Sequence, residues 1–313
     1  MENKKLTITL GIPTYNRRSA IVGNLSHLIS NQITDLCNIL IIDNDSPDGS
    51  FDELASLGAQ LEKISLLRNE TNIGGCANVI RLFEECKTDY LIICSDEDYV
   101  IKENLKLLIN LLDEVKPSFI SPQLYLPDRG IYRGKKVINK IEPREFQLAA
   151  GAISGLVFRV DTCQKLINDN RQELLDQKQQ WPHVLLLAYL LMDGDICLWW
   201  NKPLVKVIHR LCGGFNNKGD GMISAWEHYK VTLDALETYQ KKSNYLQNIL
   251  AKKLIEYHRS SMIKWLRKGA GKVGLSECFD SSLITHTGEV LFCRIRSLIS
   301  PKRNLNRLKL RRD

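Results

Sequence analysis

The sequence predicts an α/β protein: a mostly parallel, doubly wound sheet with helices on both faces, followed by a helical C-terminal extension. Three observations predict it. Over the first hundred residues, short β-branched apolar runs alternate with helix-length amphipathic segments, which implies strand–helix–strand units joined by right-handed crossovers. The strand runs are continuously apolar rather than alternating, as expected of parallel strands buried on both faces. The 313 residues, 44% hydrophobic and 25% charged, suffice for a large core and exclude wholesale disorder.

Taken in order, residues 6–12 (LTITLGI) read as the first strand, 18–31 as a helix and 38–43 as the second strand. A helix begins near Phe51, residues 63–67 form a short third strand, 75–86 a helix and 90–94 the fourth strand. The helix at 102–115 leads to an extended stretch at 118–126 and a basic, glycine-containing hairpin over 128–140. Residues 155–160 read as a strand, with Asp161 capping the helix that follows. A strongly apolar helix covers 184–192, extended segments cover 196–209, and 222–268 form two amphipathic helices. The expected division is a domain over 1–212 with halves at 1–100 and 101–212, a helical extension over 213–289, and a basic tail over 290–313.

Nine cysteines, with no C-x-x-C pair and several inside apolar runs, read as buried free thiols of a reducing compartment. The N-terminus lacks the apolar core of a signal peptide. The longest uncharged apolar stretch, residues 181–192, is too short to span a bilayer. The expected location is therefore cytoplasmic. Eight basic side chains against Asp313 in residues 290–313 account for the whole net charge of +7. That tail suits either a solvated C-terminus or peripheral contact with the anionic inner leaflet, where each basic residue contributes about 1 kcal/mol. Nucleic acid is not expected as a partner, because the folded part carries no basic patch and no recognised motif.

In doubly wound sheets ligands sit outside the carboxyl ends of the strands. Here those ends read Pro13-Thr14-Tyr15-Asn16-Arg17, Asp43-Asn44-Asp45-Ser46, Asn72-Ile73-Gly74-Gly75 and Ser95-Asp96-Glu97-Asp98-Tyr99. Three consecutive acids repel one another and are tolerated beside a divalent cation. Carboxylates with an open coordination sphere suit Mg2+ or Mn2+, which take one or two protein oxygens plus substrate phosphates. In an extended segment Asp96 and Asp98 face the same side. A helix N-terminus is the alternative reading of the same acids.

These four motifs, in this order and spacing, resemble the A-type nucleotide-sugar glycosyltransferases (the GT-A fold) of glycosyltransferase family 2. The sequence is most similar to bacterial members that build surface polysaccharides, the abequosyltransferase-like group among them. The resemblance is dense over residues 5–100 and thins through 150–210. It implies a Rossmann-like donor half and an acceptor half, a nucleotide-sugar donor, and a glycan or lipid-linked oligosaccharide acceptor. It also implies a Mg2+ or Mn2+ cofactor and inversion at the anomeric carbon.

Residue by residue, the resemblance implies that Pro13, Thr14 and Tyr15 line the nucleobase pocket, with Arg17 near it. Asp43 accepts hydrogen bonds from the base, joined by Asp45 or Asn44. Asn72 and Gly74 shape the turn beside the nucleotide, and Asn78 falls on the donor-contacting helix, where Cys76-Ala77-Asn78 replaces the family's Ala-Arg-Asn. Asp98, ahead of Asp96, is the expected metal ligand; Asp96 also faces the donor, and Ser95 stands where the family often has an acid. His209 aligns with the closing histidine that approaches the metal or diphosphate, with Arg210 beside it. Gly213-Gly214 and the stretch through Gly219 suit a closing loop. Residues 151–155 match the small-residue segment that shapes the acceptor side.

The expected catalytic base departs from the family pattern. Trp181-Pro182-His183 occupies the position of the usual Glu-Asp pair, so His183 is a candidate base, with Asp176 and Asp169 in the preceding segment as alternatives. A Pro-His pair at a helix start is equally ordinary N-terminal chemistry. Trp181, Trp199 and Trp200 could stack on sugar faces or serve as packing. Two other classes compete: a catalytically weakened member that binds nucleotide sugar or partner enzymes, and a nucleotidyltransferase. The latter would carry a glycine- and lysine-rich phosphate loop after the first strand, which this chain lacks.

Overall fold

The first strand, β1 (Ile8–Thr14), shows why the fold forms: its odd and even side chains are buried on opposite faces. Ile8, Leu10 and Ile12 join one cluster with Leu25, Leu28, Leu105 and Leu108. Gly11, on the other face, lies against Leu82 and Leu91. The strand is buried on both faces although its sequence, Ile-Thr-Leu-Gly-Ile-Pro-Thr, alternates large apolar residues with small or polar ones.

In this computed structural model the described residues are 5–58, 62–128, 130–132, 134–208 and 219–269. After β1 come α1 (Arg18–Ser30), β2 (Asn38–Asp43), α2 (Ser50–Gly58), β3 (Ile64–Arg68), α3 (Gly75–Glu85) and β4 (Tyr90–Ile93). The next elements are β5 (Tyr99–Val100), α4 (Lys102–Val115), β6 (Phe119–Leu126), β7 (Gly130–Tyr132), β8 (Asn139–Lys140), α5 (Phe146–Ala149) and β9 (Leu156–Arg159). The described part closes with α6 (Val160–Asp169), α7 (Arg171–Leu174), α8 (Pro182–Asp193), β10 (Cys197–Lys206), α9 (Gly219–Lys242) and α10 (Tyr245–Gly269). One compact unit covers Met1–Met262, and a second begins at Ile263.

The strands form a single sheet in the order β3-β2-β1-β4-β9-β6-β10-β5, with β7 beside β6 and β8 beside β10. The first four are mutually parallel, and β6 is parallel to β10. Between these groups β9 runs antiparallel to both neighbours, with Phe158 opposite Leu91 on one side and Phe119 on the other. The three phenylalanines 83, 119 and 158 meet edge-to-face at ring distances of 5.2 and 4.8 Å, an arrangement that adds to their burial. Helix α8 buries all its residues but Asp193, so it is a core helix rather than an amphipathic one.

The expected elements at 38–43 and 102–115 coincide with β2 and α4. The hairpin expected over 128–140 does not form: β7 pairs with β6 and β8 with β10, so the segment splits between two partners. Asp161 is not an N-cap. Arg159 holds that position, and the Asp161 carboxylate accepts the Thr162 amide inside the first turn. The six described cysteines are all free, five of them buried. Among the described residues, no helix is long and apolar enough to cross a membrane.

Candidate active site at the carboxyl edge of the sheet

Because β1 to β4 are parallel and in register, their carboxyl ends share one edge: Thr14 lies opposite Asp43, Asp43 opposite Arg68, and Gly11 opposite Ile93. The turns beyond them are laced together. Asn16, at φ 53°, donates its amide to Ser46 Oγ over 2.9 Å. The Ser46 amide donates to Asp43 Oδ2 over 2.9 Å. The Thr14 carbonyl accepts the Asn44 amide, also over 2.9 Å.

Asp43 is fully buried at the end of β2, and its Oδ1 accepts no hydrogen bond. A buried carboxylate oxygen without a donor is costly. Arg68, which the sequence reading passed over, stands beside it. Its Nε lies 3.6 Å from Asp43 Oδ2, and its Nη2 donates to Asp45 Oδ1 over 2.9 Å. Tyr15 is exposed and Pro13 half-buried at the same edge.

Asn72, Gly74 and Asn78 belong to an asparagine network. Asn44 donates to Asn72 Oδ1 over 2.8 Å, and Asn69 donates to both Asn44 Oδ1 (2.6 Å) and Asn78 Oδ1 (3.0 Å). Asn78, 2% exposed, donates to the Ile42 carbonyl, so its carboxamide is committed inside the protein. Gly74 takes φ 84° and donates its amide to Asn72 Oδ1, a backbone shape that suits only glycine. Asn44 and Asn69 emerge as hubs. A buried asparagine directly after a strand was the available signal.

The turn after β4 holds the acids. Asp96 and Asp98 are buried, while Glu97 is partly exposed. Thr14 Oγ1 donates to Asp96 Oδ2 over 2.9 Å, and Arg17 lies 3.4 Å from Asp96 Oδ1 and 2.7 Å from Glu97 Oε2. Burial raises the Asp96 pKa, opposed by the Thr14 bond and the Arg17 charge. Burial likewise pushes Asp98 up to about 6; bonds from Ser154 and the Ile208 amide oppose this, and the charges of Glu97 and Asp96 reinforce it. Asn24, from α1, donates to the carbonyls of Ser95 and Asp98.

These residues fit a hard divalent cation. Asp98 is a buried hard-oxygen donor whose ionised form is disfavoured, and among the described residues no lysine or arginine forms an ion pair with it. Among the described residues, no group of three or more histidine, cysteine or acidic side chains gathers as a metal cage. Mg2+ or Mn2+ takes one or two protein carboxylates and leaves the remaining positions to phosphate and water; Asp98 offers one, while the oxygens of Asp96 are engaged by Thr14 and Arg17. His209, Arg210, the loop through 218 and the tail over 290–313 lie outside the described residues.

On the acceptor side, Gly155 takes φ 82° and donates its amide to the Ile93 carbonyl, and a Cβ there would meet Val205 at 3.1 Å. This holds Ser154 against the acidic turn, where its Oγ accepts the Ser95 amide. His183 is 4% exposed at the start of α8. Asp176 is exposed, on a loop whose Gln179 carbonyl accepts the Cys76 thiol over 2.8 Å, which sets that loop beside the start of α3. Asp169 is exposed near the end of α6, lining a cavity of about 600 Å³ with Asp193 and Asp195. Trp199 and Trp200 are buried in the core, so they are not sugar platforms; Trp181 packs edge-on against His228 at 4.2 Å.

The pattern of glycosyl transferase family 2 matches residues 9–169, just over half the chain. Abequosyltransferase RfbV of Salmonella typhimurium is 24% identical over 274 residues, covering 80% of this chain and 79% of that protein. S. aureus TarS 1–349 in complex with UDP-GlcNAc superposes with a TM-score of 0.65 at 16% identity, covering 87% of this chain and 77% of that one. The mannosyltransferase PcManGT from Pyrobaculum calidifontis, in complex with GDP-Man and Mn2+, gives 0.53 at 12% identity, covering 97% and 84%. At such identities the two structures speak to the fold alone.

Proposed function

The chain belongs to glycosyl transferase family 2, and from that premise we propose that it is an inverting, metal-dependent enzyme of bacterial surface-polysaccharide assembly. It moves a sugar from a nucleotide-sugar donor to a hydroxyl of a glycan acceptor that is lipid-linked. The observation that carries this reading is Asp98, a buried carboxylate at the rim of the sheet whose charge no described lysine or arginine balances. Similarity to an abequosyltransferase, and to a fold neighbour holding GDP-Man and Mn2+, supports it.

Asp98 and Asp96 would hold Mg2+ or Mn2+, with His209 as a further ligand. Such an ion supplies charge stabilisation for the departing nucleoside diphosphate. The chain's own residues do the remaining work. Asp43 Oδ1 accepts an N–H of the base, between Pro13, Tyr15 and the Asp45–Arg68 pair. Thr14 and Arg17 fix Asp96, and the Asn72–Gly74 turn lies alongside the nucleotide. A base, Asp176 or His183, takes the proton of the acceptor hydroxyl as it attacks opposite the leaving group, which yields inversion.

The acceptor's lipid would bring the enzyme to the inner face of the cytoplasmic membrane, where the basic tail adds attraction. Deleting residues 290–313 is expected to release the protein from anionic vesicles; equal binding with and without the tail overturns the membrane part. For the enzyme, nucleotide sugars are screened by thermal shift with and without Mn2+, because a donor stabilises the folded state by mass action. Absence of any metal-dependent stabilisation overturns the reading. A second reading, a catalytically weakened binding component, is favoured by the burial of His183 at the acidic-pair position. Donor binding without turnover distinguishes it.

A further inference from the structure

We propose that Asn24 is a positioning residue for the acidic turn, setting where Asp96 and Asp98 present their carboxylates by gripping the main chain at both ends of that turn. The inference rests on the metal-dependent transferase reading and deepens it. On α1 the other buried residues are apolar: Ile21, Leu25 and Leu28. Asn24 sits among them, itself 0% exposed. A carboxamide in such a place costs a few kcal/mol unless its hydrogen bonds are made inside the protein.

Those bonds go to one destination. Nδ2 donates to the Ser95 carbonyl over 3.1 Å and to the Asp98 carbonyl over 2.9 Å. Ser95 and Asp98 are the first and last residues of the turn, and the turn closes on itself through the Asp98 amide and the Ser95 carbonyl at 3.2 Å. One NH2 group therefore satisfies two carbonyls that bracket both acids. Each carbonyl has one further donor, the Asp98 amide for Ser95 and the Cys94 thiol at 3.4 Å for Asp98, so Asn24 is the group that ties the two ends of the turn to α1. The Oδ1 of Asn24 accepts nothing, so the side chain is oriented through its Nδ2 donors, which face the two carbonyls and the neighbouring Cys94 thiol. Ser154 holds the same turn as well, by accepting the Ser95 amide over 3.1 Å. A carboxylate pair held between two such clamps keeps its spacing before any cation arrives, and outer partners of this kind typically change metal affinity 10–100-fold when removed.

The test uses the full chain and Mn2+ alone, titrated by electron paramagnetic resonance, with wild type, Asn24→Ala and Asn24→Leu. The leucine variant matches the volume and suits the apolar stripe, so it keeps the fold where alanine leaves a hole. Both variants are expected to bind Mn2+ about 10–100-fold more weakly with an unchanged circular dichroism spectrum. In transfer assays, added Mn2+ should restore their rate while failing to rescue Asp98→Asn. A wild type that binds Mn2+ alongside a folded Asn24→Leu of equal affinity overturns the role of Asn24 and leaves the transferase reading standing. A wild type with no Mn2+ affinity overturns both.

Discussion

The hydroxyl of Thr14 donates to Oδ2 of Asp96 over 2.9 Å, joining the end of the first strand to the turn after the fourth. The bond is buried and its acceptor is a carboxylate, a class worth about 1.5–3 kcal/mol. Thr14→Val keeps the shape and removes the donor. It is expected to lower the melting temperature by about 2–4 °C per kcal/mol lost, as measured by calorimetry.

Asp98→Asn removes a charge that burial disfavours. In EDTA the variant should therefore melt higher than wild type at pH 8, by on the order of 2–4 °C for each kcal/mol recovered. Its transfer rate should fall about 10²–10³-fold, the usual loss when one electrostatic stabiliser is removed. Retained turnover would remove Asp98 from the metal site.

Asp43→Asn leaves the volume unchanged and presents the base with an amide in place of a carboxylate whose Oδ1 has no internal donor. Donor KM should rise about tenfold or more, the equivalent of one charge-assisted hydrogen bond, with kcat little altered. Steady-state kinetics read that split directly.

His228 and His258 are buried, and burial holds their pKa values down at about 3 and about 4; for His228 the charges of His258 and His183 add to the effect. Between those values and the ordinary 6.5 the unfolded chain binds more protons than the folded one, so stability rises with pH across that window. The two histidines therefore contribute a fall in melting temperature from about pH 6.5 towards 4, opposed over the same window by Asp98, whose raised pKa acts in the other sense. Relative to wild type, a His228→Gln variant should lose less melting temperature between about pH 6.5 and 4.

The base candidates separate by burial. Asp176 is exposed and His183 is not. Asp176→Asn should leave the melting temperature unchanged; if Asp176 is the base, kcat falls about 10²–10⁴-fold at constant donor KM. His183→Ala removes a buried ring and should lower the melting temperature whatever its chemical role.

The strands, and the edge on which their polar turns meet, were legible in the sequence because both rest on local signals: apolar runs of strand length, then proline, asparagine or acids. Thr14, Asp43, Asp96 and Asp98 could be picked out for that reason. Arg68, Asn24 and Ser154 could not, because their relevance depends on strand order and on which face of α1 meets the acidic turn. The split of residues 128–140 between two strands was hidden for the same reason: pairing partners far apart in sequence leave no local trace. Trp199 looked available for a sugar, but its indole N–H is spent on Glu145, a partner 54 positions away.

The antiparallel strand β9 has a consequence for how the protein comes apart. Hydrogen-bonded to β4 on one side and β6 on the other, it is the seam of the sheet. Peeling away either group of strands would leave a row of unmatched amides along the seam, so partial opening is penalised and the two halves should melt in a single cooperative step.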